Sequence, residues 1–146
     1  MIMNADLKMQ IEAIKNPRRL MVLDFGKTVL LTDGRRGPYI KKDKVLIDLE
    51  KIRHPENTSN EFNPDKIQLI KVKRTKHLII MSNGKIINRF DTENGDDILW
   101  ARNDWIKEYG NAIRYATNEN HTSIIPIGIN GEPLGIVLCV RINEET

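Results

Sequence analysis

Only one cysteine, Cys139, stands in the 146 residues, inside an apolar run. A single thiol excludes an intramolecular disulfide framework and a zinc site built from cysteines, and a buried one fits a reducing compartment. Aromatic residues make up 5% of the chain and none alternates with the lysines, so a base-stacking platform for single strands is not expected. Histidine is scarce too. His54, His77 and His121 lack an i, i+4 partner or a carboxylate at ligand spacing, which excludes a helical metal pair and leaves them as surface or strand-edge residues. No metal and no cofactor are expected. No apolar run approaches the roughly 18 residues of a membrane span. Met1 and Met3 lead into Asn4, Asp6 and Lys8 rather than a secretory signal. These absences predict a cytoplasmic protein with no membrane partner.

What is present is an ordinary globular composition, 40% apolar and 29% charged, at a length that predicts one domain over residues 1–146. Richness in Asn, Ile and Lys points to an A·T-rich genome, bacterial or phage. Asn4 is placed to cap a first helix. Leu7, Ile11 and Ile14 share one face of it, and Pro17 ends it. Residues 20–25 and 28–31 read as strands about Gly26-Lys27, with a third strand at Tyr39-Ile40. Val45, Leu49 and Ile52 recur at helical spacing over residues 44–53, behind Asp43 as cap. Residues 54–65 form a polar, protease-sensitive loop. Strand character follows over 66–73, with a phase slip at Ile70 that predicts a β-bulge.

Asn83-Gly84 between two apolar runs predicts a two-residue hairpin turn. Ile98, Trp105, Tyr109, Ala112 and Ala116 share a helical face, which predicts the longest helix from Asp96 or Asp97 onward, with Trp100 on its polar side. Residues 123–129 and 134–142 read as a last hairpin about Asn130-Gly131-Glu132-Pro133. Its near-continuous apolar second arm is expected to be central or buried on both faces, and an acidic tail, 143–146, follows. The fold class is therefore α+β, a predominantly antiparallel sheet of hairpins with two or three helices. The expected core includes Ile11, Leu23, Leu31, Leu49, Leu69, Ile79, Trp105, Tyr109, Ile127 and Val137.

Catalytic patterns are weak. His121-x-Ser123 has no second copy, and Cys139 lies in a core-like run. The G-x-x-G spacing of Gly34 and Gly37 is not followed by the Lys-Ser/Thr of a nucleotide loop. A metal-dependent enzyme would require Asp33, Asp91 and Asp97 to converge. The chain is read as non-enzymatic.

The basic clusters carry most of the functional information. They are Arg18-Arg19, Arg35-Arg36, Lys41-Lys42-Lys44, and Lys66, Lys71, Lys73, Arg74 and Lys76, while acidic residues concentrate elsewhere. If they converge, they form a field suited to a phosphate backbone.

The element Leu31-Thr32-Asp33-Gly34-Arg35-Arg36 resembles the Thr-Asp-Gly-His-Arg strand and turn of bacterial DNA polymerase sliding clamps, the β subunit. Residues 40–52 are similar to that family's strand plus helix, and 67–90 to its three consecutive strands, ending in Asn88-Arg89-Phe90. Residues 98–113 are similar to the helix that opens its next half-unit, and 138–142 to its terminal strand. Arg35 stands where the family has His. A clamp chain has three such domains and this chain has length for about one. The resemblance implies a non-catalytic protein with helices lining a DNA channel, ring formation between copies and a shallow pocket for partner peptides. Arg18, Arg19, Arg35, Arg36, Lys71, Lys73 and Arg74 are the candidate contacts by charge. The implied partners are duplex DNA, a replication or host protein, and further copies of the chain. The alternative is a small phage-type inhibitor or ligand-binding module without nucleic acid, with Trp100 as an interface anchor.

Overall fold

The computed structural model describes residues 4–55 and 60–142. Residues 1–3, part of the loop expected at 54–65, and the acidic tail 143–146 lie outside the described residues. The described residues form a curled, mostly antiparallel nine-stranded sheet with two helices, α1 (Ala5–Lys15) and the single-turn α2 (Asn103–Ile106). The strands are β1 (Met21–Asp24), β2 (Thr28–Thr32), β3 (Arg36–Lys41), β4 (Ile70–Ile80), β5 (Ile86–Thr92), β6 (Ile98–Arg102), β7 (Arg114–Thr117), β8 (Ser123–Ile127) and β9 (Gly135–Leu138). Their spatial order is β1-β2-β3-β9-β8-β7-β4-β5-β6. The sheet curls into a half-barrel, and Val140 N donates to Trp100 O at 2.7 Å, so the chain beyond β9 meets β6. No described helix is long and apolar enough to cross a membrane.

Asn4 caps α1 as expected, its Oδ1 accepting from Leu7 N at 3.0 Å, and the helix ends before Pro17. The buried face is not the expected one. Ala5, Met9 and Ala13 face the sheet, whereas Leu7, Ile11 and Ile14 are exposed, Ile14 by 69%. Small side chains let the helix lie close to β1–β3, and the larger aliphatic residues are left outside. Met9 and Ala13 join Val22, Val29, Leu31, Ile40 and Ile52 in one core cluster. The other face of β2 and β3 gives Leu30 and Tyr39 to a second cluster with Ile125, Ile127 and Ile136. β2 from Val29 onward and all of β8 are therefore buried, because both their faces are covered. The interior of the curl holds Val72, Phe90, Leu99, Ala101, Ile106, Tyr109, Ile124 and Val137. β9 lies between β3 and β8, the central placement expected of the last hairpin's second arm.

Two expected helices are corrected. Over 44–53 the chain forms short 3-10 turns at Lys42–Lys44 and Leu49–Lys51 and is otherwise irregular. Val45, Ile47 and Leu49 pack on the α1 cluster at every second position, the period of an extended chain rather than a helix. Gln10 Oε1 accepts from Leu46 N at 2.7 Å and ties this segment to α1. The long helix expected from Asp96 or Asp97 is β6, the one turn of α2 and β7. Leu99, Ala101 and Asn103 are buried at period two because β6 pairs with β5. Trp105 and Tyr109, read as one long helical face, are spaced across α2 and the turn after it. Trp100 lies on β6, half-buried, its ring 5.5 Å from His77.

Of the expected core, Leu31, Tyr109, Ile127 and Val137 are buried. Leu23, Leu49, Ile79 and Trp105 are half-buried, and Ile11 and Leu69 are each 37% exposed. The β-bulge also moves. β4 begins at Ile70, and the irregularity lies between Arg74 and Leu78. Asn88 Nδ2 fills it, donating to Thr75 O at 2.8 Å and His77 O at 3.2 Å.

The β4–β5 hairpin is as expected, but its turn is different. Gly84 N donates to Met81 O and Met81 N to Lys85 O, so Ser82 and Asn83 form the tip. Gly84 follows at φ +82°. His121 is the only non-glycine residue of positive φ among those described, so Asn83 is not in the two-residue I′ geometry. This is a three-residue loop with glycine in the left-handed position. Gly84→Val is expected to cost about 1–2 kcal/mol through the backbone alone, since a Cβ there meets nothing within 4 Å. Urea denaturation checks it, and an unchanged midpoint would contradict the turn.

Candidate anion-binding site

The β2–β3 turn is built by its own side chains. Thr32 Oγ1 accepts from Gly34 N at 3.0 Å and donates to Arg36 O at 2.7 Å. Asp33 Oδ1 accepts from Arg35 N at 2.9 Å and Arg36 N at 3.0 Å. Short polar side chains of this type favour such turns because they satisfy nearby backbone donors. The Arg35 side chain is left projecting from the tip, exposed.

Arg36 turns the other way. Its Nη1 lies 3.2 Å from Asp33 Oδ2 and its Nη2 donates to Glu108 Oε2 at 3.3 Å. Its Nε is 3.3 Å from Glu108 Oε1, at an angle that leaves Nε without a hydrogen bond. The guanidinium sits 5.1 Å from the centre of the Trp105 ring, and Arg102 lies 3.9 Å from the same ring. Glu108, only 8% exposed at its side chain, also accepts from Lys8 Nζ at 3.2 Å. Its carbonyl accepts from Ala5 N. One carboxylate thus joins α1, β3 and the turn after α2.

Between α1, the 3-10 turn Pro17–Arg19 and the β2–β3 turn lies a concavity of about 630 Å³, lined by Lys8, Met9, Glu12, Arg19, Leu20, Asp33, Arg35 and Arg36. Arg36 and Lys8 back the hollow, their charges balanced by Asp33 and Glu108, and Glu12 adds a carboxylate to the lining. The side chains of Arg19 and Arg35 are exposed and make no hydrogen bond or ion pair among the described residues. They come from different turns, and the fold brings them to one hollow. Arg18 is exposed and does not line it.

The second basic group lines a separate concavity of about 650 Å³ beside β4, β7 and the β5–β6 turn, where Lys71, Lys73 and Arg74 meet Arg114, Asp91 and Glu93. The two hollows share no lining residue. Arg74 is spent inside the protein. Its Nε donates to Asn88 Oδ1 at 2.5 Å, Nη2 to Asn103 Oδ1 at 2.9 Å and Nη1 to Tyr115 Oη at 3.3 Å. Lys71 lies 3.8 Å from Glu93, both largely exposed, a pair that adds little to stability. Lys73 is exposed and unpaired among the described residues.

Lys8 and Arg114 were not read as site residues from the sequence. Lys8 is one charge on a helix, and Arg114 opens β7 within the run whose spacing suggests a helix. No local signal marks Glu108.

Asp33, Asp91 and Asp97 do not converge. Asp33 holds its turn, Asp91 pairs with Arg89 at 2.7 Å, and Asp97 meets His121 Nδ1 at 2.6 Å. Among the described residues no group of three or more His, Cys, Asp or Glu is placed to hold a metal ion. Burial pushes the Cys139 thiol up to about 12, so it stays protonated at neutral pH.

Burial also raises the pKa of Asp6, in the first turn of α1, against the opposing charge of Lys44. The folded state therefore holds this proton more tightly than the unfolded one. Stability is greatest below the ordinary aspartate value of 3.8 and falls as pH rises through the raised folded value. Asp6→Asn is expected to raise the denaturation midpoint at pH 7 and leave it unchanged well below 3.8. Equal shifts at both pH values would contradict this origin.

No protein-family model, curated protein or solved structure matches this chain.

Proposed function

We propose that this protein is a non-catalytic, DNA-associated protein that contacts the phosphate backbone, with Arg19 and Arg35 as its principal phosphate ligands. The observation that carries this reading is the meeting on one hollow of two exposed guanidinium groups, Arg19 and Arg35, neither paired among the described residues. Arginines that reach phosphate without reading base edges give binding that is independent of sequence. Lys71, Lys73 and Arg18 add exposed charge at a distance, while Arg36 and Arg74 act through the fold.

The sliding-clamp-like form of this proposal rests on the element from Thr32 to Arg36, here the β2–β3 turn. It adds association of several copies around duplex and a place in DNA replication in the cytoplasm. α2, at one turn, is too short to serve as a second channel-lining helix.

The test is duplex binding across a range of salt. Each phosphate contact steepens the dependence of log affinity on log salt by roughly 0.9, so Arg19→Ala with Arg35→Ala is expected to flatten the slope by about 1.8. The fold should be unaffected, since both side chains are exposed. A salt-insensitive curve would overturn the proposal. A second reading, a protein-binding module without nucleic acid, is favoured by the exposed Leu7, Ile11 and Ile14 of α1 beside Leu46, itself 77% exposed. A monomer indifferent to DNA in size-exclusion chromatography with light scattering would select it.

A further inference from the structure

The register of β4 with β7 ends at Val72, opposite Tyr115. From Lys73 to Ile80 the side of β4 away from β5 has no strand partner among the described residues. The hairpin fixes which main-chain groups face that side. Met81 N donates to Lys85 O, and Ile79 pairs with Ile87. Hydrogen-bonding direction alternates along an antiparallel strand, so Met81 and Ile79 bond to β5. The N–H and C=O of Leu78 and Ile80 point to the open edge. Beside these four groups lie exposed apolar side chains, Leu78 at 50%, Ile80 at 73% and Ile86 at 40%, with Ile86 directly across from Ile80.

Apart from Asp91, which stands across from Lys73 and is itself paired with Arg89, the charge along this arm has one sign. Between Asp65 and Asp91 the chain has seven lysines and arginines, among them Lys73, Lys76 and Lys85, and no aspartate or glutamate. An open strand edge with apolar side chains invites another strand, and lysines on it discourage strands of the same charge. Two copies paired through β4 would set cation against cation, so the chain selects against itself.

We propose that the Lys73–Ile80 edge of β4 receives an extended acidic segment of a partner protein as an added strand. Main-chain bonds to Leu78 and Ile80 hold the segment. Its aliphatic side chains cover Leu78, Ile80 and Ile86, and its carboxylates meet Lys73 and Lys76. This is strand addition, in which the backbone supplies affinity and alternate side chains supply specificity. A nucleic acid would answer the charge but not the main-chain groups or the apolar cluster.

A random nine-residue peptide display library selected against the full chain tests this, followed by amide hydrogen exchange with the enriched peptides synthesised. Enriched peptides are expected to combine Asp or Glu with alternating Val, Ile or Phe, and to slow exchange at Leu78 and Ile80 at least tenfold. Lys73→Glu with Lys76→Glu, both exposed positions, should weaken these peptides at least tenfold, and Ile80→Lys should do the same without any charge on the edge being removed. Far-UV circular dichroism of each variant confirms that it is folded. Duplex DNA should leave exchange at Leu78 and Ile80 unchanged. The proposal is overturned if no peptide is enriched, if bound peptides leave Leu78 and Ile80 exchanging freely, or if duplex DNA protects the same two amides.

Discussion

Phe90→Ala should lower the stability of the fold by about 3–5 kcal/mol, the range for removing a buried ring and leaving a cavity. Phe90 is fully buried and packs with Val72, Leu99, Ile106, Ile124 and Val137 inside the curl. Its ring stands edge-on to Tyr115 at 5.4 Å and 67°, and Tyr115 in turn accepts from Arg74. Loss of Phe90 therefore removes apolar burial and loosens the polar network of Arg74, Asn88 and Asn103. At about 3 °C per kcal/mol for a chain of this size, thermal unfolding should come about 10 °C earlier. Chemical denaturation gives the free energy directly. A change under about 1 kcal/mol would mean that the curl does not close around this ring.

Gly37→Ala should be comparably damaging for a different reason. A Cβ on Gly37 would meet the Leu31 carbonyl oxygen and lie 2.8 Å from Thr32 Cα, both backbone, which cannot swing aside. Across the strand pair, a Cβ on Gly135 would lie 2.6 Å from Gly37 O and against the Tyr109 hydroxyl. Overpacking of this kind costs about 1–3 kcal/mol and sometimes more, and the close backbone of Leu31 and Thr32 puts Gly37 at the upper end, near 3. Gly84→Ala is the internal comparison. There the cost is one of φ alone, with open space around the new methyl group. If the two alanine variants have equal midpoints, the close approach of β3 to its neighbours is wrong.

Turn chemistry was the most legible part of the sequence. Gly26-Lys27, Thr32-Asp33-Gly34, Asn83-Gly84 and Asn130-Gly131 all fall at strand reversals, because the residues that permit such geometry are few. Helical periodicity misled where tertiary pairing prevailed. Ile98 to Ala101 alternates in and out against β5, and a wheel through the same residues finds a helical face by mixing them with Trp105 and Tyr109. On α1 the helix was right and its face wrong, because alanine carries little weight in a hydrophobic pattern yet Ala5 and Ala13 are the residues that fit against the sheet.

The candidate site was half legible. The arginine pairs could be named from the sequence, but not their fates. Arg36 is claimed by Glu108, 72 residues away, and Arg74 by Asn103, 29 residues away. That Arg19 and Arg35 share a hollow depends on how α1 and the hairpin dock, which no local pattern records.

The placement of β9 has a consequence for how the chain is made. β9 is the last in sequence of the described strands, yet it is the seam between β1–β3 and the five strands from β8 to β6. Until it leaves the ribosome, β3 and β8 each present an unpaired edge, and neither half of the sheet can join the other. At ordinary elongation rates the stretch from the end of β3 to the start of β9 takes roughly 5–20 s to synthesise. For that interval the nascent chain holds a finished hairpin with an open flank. The sheet therefore closes only once β9 has been made, and until then the flank of β3 is open to any strand-binding chaperone.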